Sequence, residues 1–435
     1  MQKILILIKK IIPAKLFKKL QPIYHYLLAS FSALIYFYPA DKMIVIGVTG
    51  TTGKSSTCYF IAQILEQAGF KVGMSTTTLF KINTTEWLNN KKMTMPGRFF
   101  LQKLLKKMLK NNCEIAIIET TSEGIKQFRH LGVSYDILVF TNLYPEHIES
   151  HGSFEKYKEA KGKLFKYLHK TKRKTQLAKH KTIIANLDDE HAEYFLNFKA
   201  DKKIGFTTNS QQQTINNKLN KIIYNKNFKI NLLGEYNIYN VLAGVAVAEV
   251  LHIEENKINK IIKNLKPLPG RLEFVKNNLN LKILVDYAFE PKAVEKLYNI
   301  AKNILSTRDN KIIHVLGSCG GGRDKSRRPI LGQLAAQNTD IVIVTNEDPY
   351  DEDPQEIIDQ VALGVSECHS VQCQNTELYK ILDRREAIKK ALQIAQAGDL
   401  ILITGKGAEQ KMCLANGKMI DWDDRLVIKE ELGKL

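Results

Sequence analysis

The chain has 435 residues, which is enough for two or more domains that each bury a core. With 44% hydrophobic and 25% charged residues, its composition is ordinary for a folded globular protein. Lysine and arginine exceed aspartate and glutamate by 64 − 45 = 19, which favours an anionic partner such as a nucleotide, a nucleic acid or an acidic membrane surface. The six cysteines include no CxxC pair, so we expect buried thiols in a reducing compartment and neither a disulfide nor a metal pattern.

The chain begins with a basic, apolar arm. Residues 1–40 hold six lysines and no acid, around the run IYHYLLASFSALIYFYP (23–39). That run is shorter than the roughly 20 residues a spanning helix needs and contains His25, and no small-residue cleavage site follows it. Two interpretations stay open: a basic amphipathic arm that lies on a membrane face, or a segment that packs on the next domain.

From residue 43 onward, buried-strand patterns alternate with helical ones, which predicts an α/β fold with a mainly parallel sheet covered by helices. The polar stretch 207–237 interrupts this alternation, and we expect short hairpin strands there. The predicted elements of this first half are the strands 42–48, 113–120, 136–143 and 181–188 and the helix 54–67.

A second α/β domain is predicted beyond the segment KPLPGRLEF (266–274), which holds two prolines and a glycine and is our candidate hinge. The alternation restarts after it, with helical patterns between the strands. The predicted strands of this half are 282–288, 311–317, 340–346 and 399–405.

The stretch IVIGVTGTTGKSS (44–56) has the pattern of a phosphate-binding loop between a strand and a helix. Glycines let backbone N–H groups face phosphate oxygens, and the helix N-terminus adds its positive dipole. Lys54 would neutralise phosphate charge and Ser55 could bind Mg²⁺. The loop is a variant, because Val48 stands where the usual GxxxxGK[ST] spacing has glycine.

Two further polar residues are expected to face this loop. Glu119 ends the predicted strand 113–120, and His147 follows the predicted strand 136–143. Because the carboxyl ends of parallel strands meet at one edge of a sheet, a carboxylate and an imidazole placed there could hold a second Mg²⁺.

Ordered segments along the chain resemble those of the Mur ligases, most closely the MurE-type members that form a muropeptide with a third amino acid. The resemblance covers about residues 43–430. The segments that carry it are GVTGTTGKSS (47–56), IETTSEG (118–124), FTNLYPEHIESHG (140–152), YKEAKGKLF (157–165), NLDDE (186–190), LGEYNIYNVLAGVA (233–246), PGRLEF (269–274), VDYAFEP (285–291), GSCGGGRDKSRRP (317–329), TNEDPYDEDP (345–354) and ITGKGAEQ (403–410).

The resemblance implies a fold, an activity and partners. The fold would be a P-loop-type central ATPase domain (43–267) and a C-terminal Rossmann-like α/β domain (268–435), after the arm (1–42). The activity would be ATP- and Mg²⁺-dependent amide-bond formation through an acyl phosphate, adding an amino acid to a UDP-N-acetylmuramoyl-peptide in peptidoglycan precursor synthesis. We expect a cytoplasmic enzyme, with contact between the arm and the inner membrane face as an open option.

The resemblance also implies roles for individual residues, matched by position. Lys54, Glu119, His147 and Lys161 would be catalytic, and Lys161 stands where these enzymes often carry a carbamylated lysine. Metal binding would fall to Ser55, Glu119, His147 and carbamylated Lys161. Nucleotide binding would fall to Gly50, Thr51, Thr52, Gly53, Lys54, Ser55, Ser56, Asn237 and Asn240, with Arg271 and Asp286 reaching ATP from the last domain. Substrate binding would fall to Thr94, Pro96, Thr121, Ser122, Arg323, Asp348 and Glu409.

The chain also departs from the family pattern. Tyr350 replaces the arginine that would hold the distal carboxylate of diaminopimelate, so lysine or another amino acid is a candidate, with Asp348 as a partner for a side-chain amine. The residues that stand where family histidines are expected are Glu123, Phe289 and Ala408. The arm is too short to be the N-terminal domain that contacts UDP in these enzymes, so a lipid-linked muropeptide is also considered.

Other functions compete with this one. Folylpolyglutamate and cyanophycin synthetases share the core motifs of the ligase, and a non-catalytic ATP-binding regulatory protein would retain the loop. No motif for groove entry or base stacking accompanies the positive charge, so we expect no nucleic-acid partner.

Overall fold

The computed structural model describes residues 14–91, 93–146, 151–171, 180–209, 220–223, 230–305, 307 and 309–435. The described chain divides into two compact units, the first made of residues 14–87 and 93–266 and the second of residues 88–91 and 267–435. Each unit contains a largely parallel sheet covered by helices, which confirms the predicted α/β class.

The first unit is built on a sheet of nine described strands in the order β4-β3-β2-β5-β1-β6-β7-β8-β9. Its strands are β1 (Ile44–Thr49), β2 (Val72–Ser75), β3 (Leu79–Ile82), β4 (Thr85–Leu88), β5 (Ile115–Glu119), β6 (Ile137–Phe140), β7 (Thr182–Asn186), β8 (Lys202–Thr207) and β9 (Asn220–Ile223). Its helices are α1 (Ala14–Ile35), α2 (Lys54–Gln67), α3 (Arg98–Lys110), α4 (Ser122–Lys126), α5 (Phe154–Leu168), α6 (Ala192–Leu196), α7 (Tyr236–Val250) and α8 (Glu255–Ile262).

The central strand β1 lies between β5 and β6 and runs parallel to both. Its residues are entirely buried, as expected for a parallel strand covered on both faces, and this explains its continuous apolar sequence. The pairing sets Val48 opposite Glu119 and Thr49 opposite Phe140. The ends of the three strands therefore place the loop after β1 beside the residues that follow β5 and β6.

The edges of this sheet differ from the sequence prediction. Strands β2 and β3 form an antiparallel pair that the alternation pattern did not reveal. The predicted hairpin in 207–237 is wrong for the one strand described there, because β9 pairs with β8 in parallel. The rest of that polar stretch lies largely outside the described residues.

The second unit contains a sheet of six described strands in the order β10-β11-β15-β12-β13-β14, antiparallel at β10 and parallel elsewhere. Its strands are β10 (Glu273–Val275), β11 (Lys282–Val285), β12 (Ile312–Leu316), β13 (Ile341–Thr345), β14 (Glu377–Ile381) and β15 (Leu400–Ile403), with the separate pair β16 (Lys411–Cys413) and β17 (Met419–Asp421). Its helices are α9 (Pro291–Ile304), α10 (Arg327–Asn338), α11 (Pro354–Ser366), α12 (Arg384–Ile394) and α13 (Asp424–Leu432).

The cysteine prediction is only partly correct. Cys58, Cys113 and Cys413 are buried thiols, as expected. Cys368 and Cys373, however, form a disulfide in the loop between α11 and β14. Their spacing of five residues lies outside the CxxC pattern on which the prediction relied, and loop geometry alone brings the two sulfurs together.

The described part of the arm, from residue 14 onward, contains helix α1, which packs on α3 within the first unit. Among the helices of the described ranges, none is long and apolar enough to cross a bilayer. The inner side of this helix therefore packs on the neighbouring domain, which is one of the two interpretations that the sequence left open.

Helices α10 and α11 cross in the second unit with their backbones in contact. A Cβ added at Gly332 would lie 1.9 Å from the carbonyl oxygen of Val361, and one added at Gly364 would lie 1.9 Å from that of Pro329. Both neighbours are backbone atoms, which cannot rotate away as a side chain would. The two glycines therefore set the distance between these helices.

We predict that Gly332→Ala lowers the free energy of unfolding by about 1–3 kcal/mol, because the methyl group forces the helices apart and this outweighs the helix propensity of alanine. Urea denaturation measures the change. Gly433→Ala is the matched control, since its Cβ would meet only ordinary contacts at 3.6 Å. Equal stability of the two variants would contradict the argument.

Candidate active site

The candidate phosphate loop joins β1 to α2 and is held in shape from the neighbouring strand end. Asn142 accepts hydrogen bonds from the Thr52 backbone N–H through its side-chain oxygen, at 2.9 Å, and from the Thr51 N–H through its carbonyl, at 2.9 Å. The Thr141 hydroxyl donates to the Thr52 carbonyl at 2.8 Å. Sequence reasoning missed Asn142, although its position in the segment TNL after β6 was the available signal.

Two glycines of the loop are required by close contacts. A Cβ at Gly50 would lie 1.9 Å from the Thr141 hydroxyl oxygen. Gly53 has φ +77° and precedes α2, and its Cβ would lie 2.5 Å from the side-chain oxygen of Asn240. The first position needs glycine for space and the second for both space and conformation.

Lys54 and Ser55 open helix α2, as predicted. The Lys54 ammonium donates to the Thr51 carbonyl at 2.6 Å, so it folds back over the loop. The Ser55 hydroxyl donates to the Glu119 Oε2 at 2.7 Å, and both side chains are buried. Ser56, the next predicted contact, is half-buried on the same turn.

Glu119, at the end of β5, connects the loop with a second chain segment. Its Oε2 accepts from the Thr77 N–H at 2.8 Å and its Oε1 accepts from the Thr77 hydroxyl at 2.9 Å. The same hydroxyl oxygen lies within hydrogen-bond distance of the Thr94 hydroxyl, at 2.8 Å. Thr77 therefore links Glu119 to Thr94, which the sequence predicted as a substrate contact. The sequence analysis did not identify Thr77.

Lys161, on α5, is brought to the loop as predicted. Its ammonium donates to the Gly50 carbonyl at 2.7 Å and lies 4.5 Å from the centre of the Tyr157 ring. The residue is only 2% exposed, and this burial, together with the nearby charge of Lys54, holds the pKa of the Lys161 ammonium well below its usual range. This shift favours the neutral amine over the ammonium at this position.

Asn237 and Asn240 lie at the start of α7, which packs against α2. Asn240 accepts from the Thr57 hydroxyl at 3.0 Å and donates to the Asn237 side-chain oxygen at 3.0 Å. Asn237 in turn donates to the Leu233 carbonyl at 2.7 Å. Asn240 therefore lies beside the loop at Gly53, and Asn237 is one hydrogen bond further away.

The segment after β5 contains a pair that the sequence did not reveal. Thr121 caps α4 by accepting from the Gly124 N–H, and the Ser122 hydroxyl lies 3.1 Å from the Nε2 of His151. Burial and the positive charge of Lys126 lower the pKa of the His151 imidazole.

The remaining predicted residues of this unit lie in different surroundings. Pro96, two residues after Thr94, is buried. Glu123 lies on the exposed side of α4 and accepts a hydrogen bond from the Gln127 side chain. His147 lies outside the described residues.

In the second unit, Arg271 and Asp286 are close together. The Arg271 guanidinium lies 4.2 Å from the centre of the Tyr287 ring. The Asp286 carboxylate accepts from the backbone N–H groups of Leu272 and Ala288, at 2.8 and 2.7 Å, and burial raises its pKa. Asp286 therefore has a structural role in shaping the turn at Leu272, in addition to any predicted contact with nucleotide.

Asp348 and Glu409 share one buried cation, Lys406, which sequence reasoning missed. The Lys406 ammonium donates to Asp348 Oδ1 at 2.9 Å and to Glu409 Oε2 at 2.9 Å. Asp348 also accepts from the Cys413 N–H at 2.7 Å. The sequence predicted Asp348 as the partner of a substrate amine. A substrate amine at this position would lie beside the Lys406 ammonium, which Asp348 already contacts. Arg323 is exposed on the loop before α10.

Packed residues fill two of the three positions at which the family pattern has histidine. Ala408 is buried, and its backbone N–H would be only 2.1 Å from a Cβ at Gly270. Phe289 stacks with the guanidinium of Arg327, 5.5 Å from the ring centre. Packing therefore occupies two of the positions at which an imidazole was expected.

The first unit has the donor set that a magnesium ion prefers. Ser55 supplies a hydroxyl oxygen and Glu119 a carboxylate, both hard ligands, at the start of a helix that faces the phosphate loop. Within the described ranges, no group of three or more histidine, cysteine or acidic residues is arranged to hold a metal ion. The residues fit a cation that is held in part by phosphate oxygens.

Comparisons with known proteins show the family to which the chain belongs. The Mur ligase middle domain matches residues 48–248, and the Mur ligase, glutamate ligase domain matches residues 270–407. The chain therefore belongs to the Mur ligase family.

Several relatives are similar over most of the chain. The UDP-N-acetylmuramoyl-L-alanyl-D-glutamate–2,6-diaminopimelate ligase 1 of Clostridium acetobutylicum is 32% identical over 94% of this chain and 82% of its own length. The UDP-N-acetylmuramyl-tripeptide synthetase of Borreliella burgdorferi is 32% identical over 93% of this chain and 79% of its own.

Solved structures show the same fold. A UDP-N-acetylmuramoyl-L-alanyl-D-glutamate–2,6-diaminopimelate ligase aligns with a TM-score of 0.58 at 27% identity, over 90% of this chain and 78% of that chain. E. coli FolC, solved with DHPP and ADP, aligns with a TM-score of 0.62 at 16% identity, over 86% and 89%. The second likeness concerns the fold alone.

We predict that Glu119→Gln weakens the binding of Mn²⁺, used as a spectroscopic substitute for Mg²⁺, by at least about tenfold in the presence of a non-hydrolysable ATP analogue, because the amide removes the ligand charge. Electron paramagnetic resonance titration measures free Mn²⁺. The matched control is Glu114→Gln, which alters a carboxylate just before the other end of β5. If both variants keep wild-type affinity, Glu119 is not a ligand.

Proposed function

We propose that this chain is an ATP-dependent ligase that adds an amino acid to a UDP-N-acetylmuramoyl-peptide in peptidoglycan precursor synthesis. Mur ligases are ATP-dependent amide-bond ligases, and the relatives named above carry this activity in their names. The observation that supports it most directly is the Ser55–Glu119 contact beside the phosphate loop, with Lys54 and Lys161 both donating to backbone carbonyls of that loop.

The proposed reaction has two steps. A carboxylate oxygen of the muropeptide attacks the γ-phosphorus of ATP, the bond to the bridging oxygen breaks, and ADP leaves. The resulting acyl phosphate has a good leaving group. The amino group of the second substrate then attacks the carbonyl carbon, inorganic phosphate departs, and the attacking nitrogen loses a proton to give the amide.

The residues of the first unit would serve the first step. The loop backbone and Lys54 would hold the phosphates, and Asn237 and Asn240 would contact the nucleotide, as would Arg271 and Asp286 of the second unit. Ser55, Glu119 and His147 would hold Mg²⁺, which supplies charge neutralisation to the phosphoryl group when bound.

Lys161 would act as a carbamate rather than as an ammonium. The neutral Nζ attacks the carbon of CO₂, and the nitrogen loses one proton, which leaves a carboxylate on the side chain. Its burial favours this reaction, because burial lowers the pKa of the amine and so favours the unprotonated form that reacts with CO₂. The added carboxylate would be a further oxygen ligand beside Glu119.

We predict that full-length protein in ¹³C-bicarbonate shows one carbamate resonance by ¹³C NMR that is lost in Lys161→Met. The signal persists to lower pH than that of exposed lysines, since the folded-state pKa of this amine is depressed and its neutral form survives as pH falls. Lys163→Met, an exposed lysine on the same helix, is the control and keeps the resonance. A resonance that survives in Lys161→Met would contradict the assignment.

The two substrates would bind at different places. Thr94, Pro96, Thr121 and Ser122 would contact the muropeptide, while Arg323 and Glu409 would hold the carboxylate and the ammonium of the amino acid. Asp348 and Glu409 both contact Lys406, and their carboxylate oxygens would also be acceptors for a substrate ammonium. With Tyr350 in place of arginine, lysine or another amino acid without a distal carboxylate fits better than diaminopimelate.

We also propose the domain boundaries 1–42, 43–267 and 268–435, with the arm in contact with the membrane surface. This contact would place the enzyme peripherally at the inner membrane face and would suit a lipid-linked muropeptide as well as a UDP-linked one. Six lysines and no acid in residues 1–40 support an anionic surface as partner.

We predict that phosphate release from ATP requires both UDP-N-acetylmuramoyl-dipeptide and one amino acid, with lysine more effective than diaminopimelate. Phosphate assays over a panel of single amino acids, with mass spectrometry of the product, measure this. Lys54→Met should abolish release.

Other outcomes would redirect the proposal. Release that depends on folylglutamate and glutamate would favour the folylpolyglutamate synthetase alternative, and ATP consumption indifferent to every substrate would favour a regulatory ATP-binding protein.

A further inference from the structure

Helix α1 has an inner side made of small residues. Ala29, Ser32 and Ala33 are buried against the rest of the first unit. Ala33 approaches the loop after α4 so closely that a Cβ at Gly132 would lie 2.3 Å from its own Cβ. Small side chains let the helix lie directly on the domain surface, so its position is fixed by packing and not by a flexible tether.

The opposite side of the helix is apolar and open. The spacing of its residues, three or four positions apart, places them on a single stripe. Each of these side chains is between 42% and 60% exposed. The stripe, which we call the outer face, consists of Leu20, Ile23, Leu27, Phe31 and Leu34.

The outer face continues past the end of the helix. Phe37 and Tyr38 both adopt left-handed backbone conformations, with φ of 59° and 47°, which non-glycine residues seldom do. Their turn leaves the Phe37 ring 75% exposed. A helix with apolar residues on both sides is normally covered on both sides, so the outer face is a surface that another phase or molecule covers.

Positive charge borders this surface. Helix α3, on which α1 packs, has lysines at positions 103, 106, 107 and 110, and the Lys106 ammonium lies 5.9 Å from the centre of the Phe37 ring. The chain segment 1–40 adds six lysines and no acid. Apolar side chains beside a dense set of ammonium groups match the boundary between the acyl chains and the phosphate headgroups of an anionic bilayer.

We infer that the outer face of α1 is a lipid-binding surface, on which the helix lies in the plane of an anionic membrane with Leu27 and Phe31 in the acyl region and the α3 lysines on headgroup phosphates. This deepens the membrane contact proposed above by naming the surface and the lipid chemistry. A spanning orientation conflicts with the packed inner side. A second copy of the chain on this face would bring two lysine-rich arms together, which electrostatic repulsion opposes.

The test is sedimentation of the full chain with phosphatidylglycerol vesicles and, separately, with phosphatidylcholine vesicles at low salt. We expect binding to the anionic vesicles at least tenfold tighter than to the neutral ones. The double variant Leu27→Ser, Phe31→Ser should lose at least tenfold of that affinity. The matched control is Leu363→Ser, Leu426→Ser, which removes two leucines of similar exposure from the second unit and should bind as the wild type does.

A second measurement does not depend on the loss of binding. Phe31→Trp places an indole reporter on the outer face, and its emission should shift to the blue with phosphatidylglycerol vesicles and be quenched by brominated acyl chains. Wild-type binding by the Leu27, Phe31 double variant, or an indole emission of Phe31→Trp that vesicles leave unchanged, would overturn the inference. A dimer that dissociates in the double variant would assign the face to a second copy and equally overturn it.

The vesicle experiments test the lipid-binding surface independently of the ligase proposal, on which it does not depend. The Leu27, Phe31 double variant should retain wild-type phosphate release with the soluble UDP-linked substrate, because neither residue contacts the loop. A chain that binds vesicles but never releases phosphate would refute the ligase assignment alone, and an active ligase that ignores vesicles would refute the lipid assignment alone.

Discussion

The carboxylate of Glu119 is the contact on which the first unit depends, since three separate segments meet at it. It ends β5, accepts the Ser55 hydroxyl from the first turn of α2, and accepts two hydrogen bonds from Thr77 after β2. A buried carboxylate without partners would be strongly destabilising, and these three donors remove that penalty. The same oxygens that complete the fold are therefore those that face the phosphate loop.

The strand and helix patterns predicted the centre of each sheet well, because buried parallel strands are read from continuous apolar runs. They failed at the edges, where β3 and β4 carry mixed sequences such as Thr85–Leu88 and where pairing depends on tertiary neighbours. The disulfide between Cys368 and Cys373 was missed for a related reason. Its formation depends on how one loop turns, and a spacing of five residues carries no signal of that turn.

Site residues that belong to motifs were located by sequence, while their partners were not. Lys54, Ser55, Glu119 and Lys161 surround one loop, as the predicted roles require. Asn142 and Lys406 lie within matched segments but had no role predicted for them, and Thr77 lies outside every matched segment. A hydrogen bond between residues far apart in the chain is decided by register and loop path, so a single sequence contains little information about it.

The hydrogen bonds that hold the phosphate loop also bear on how a nucleotide would arrive. Thr51 and Thr52 are tied to Asn142, Gly50 to Lys161, and Thr51 to Lys54, all through contacts within the chain itself. The conformational entropy of these residues is therefore lost when the chain folds, not when the ligand binds. A loop shaped in advance lets an incoming phosphate exchange its water shell for protein donors with little rearrangement of the chain. Association should therefore be governed by diffusion and charge more than by the speed of loop closure.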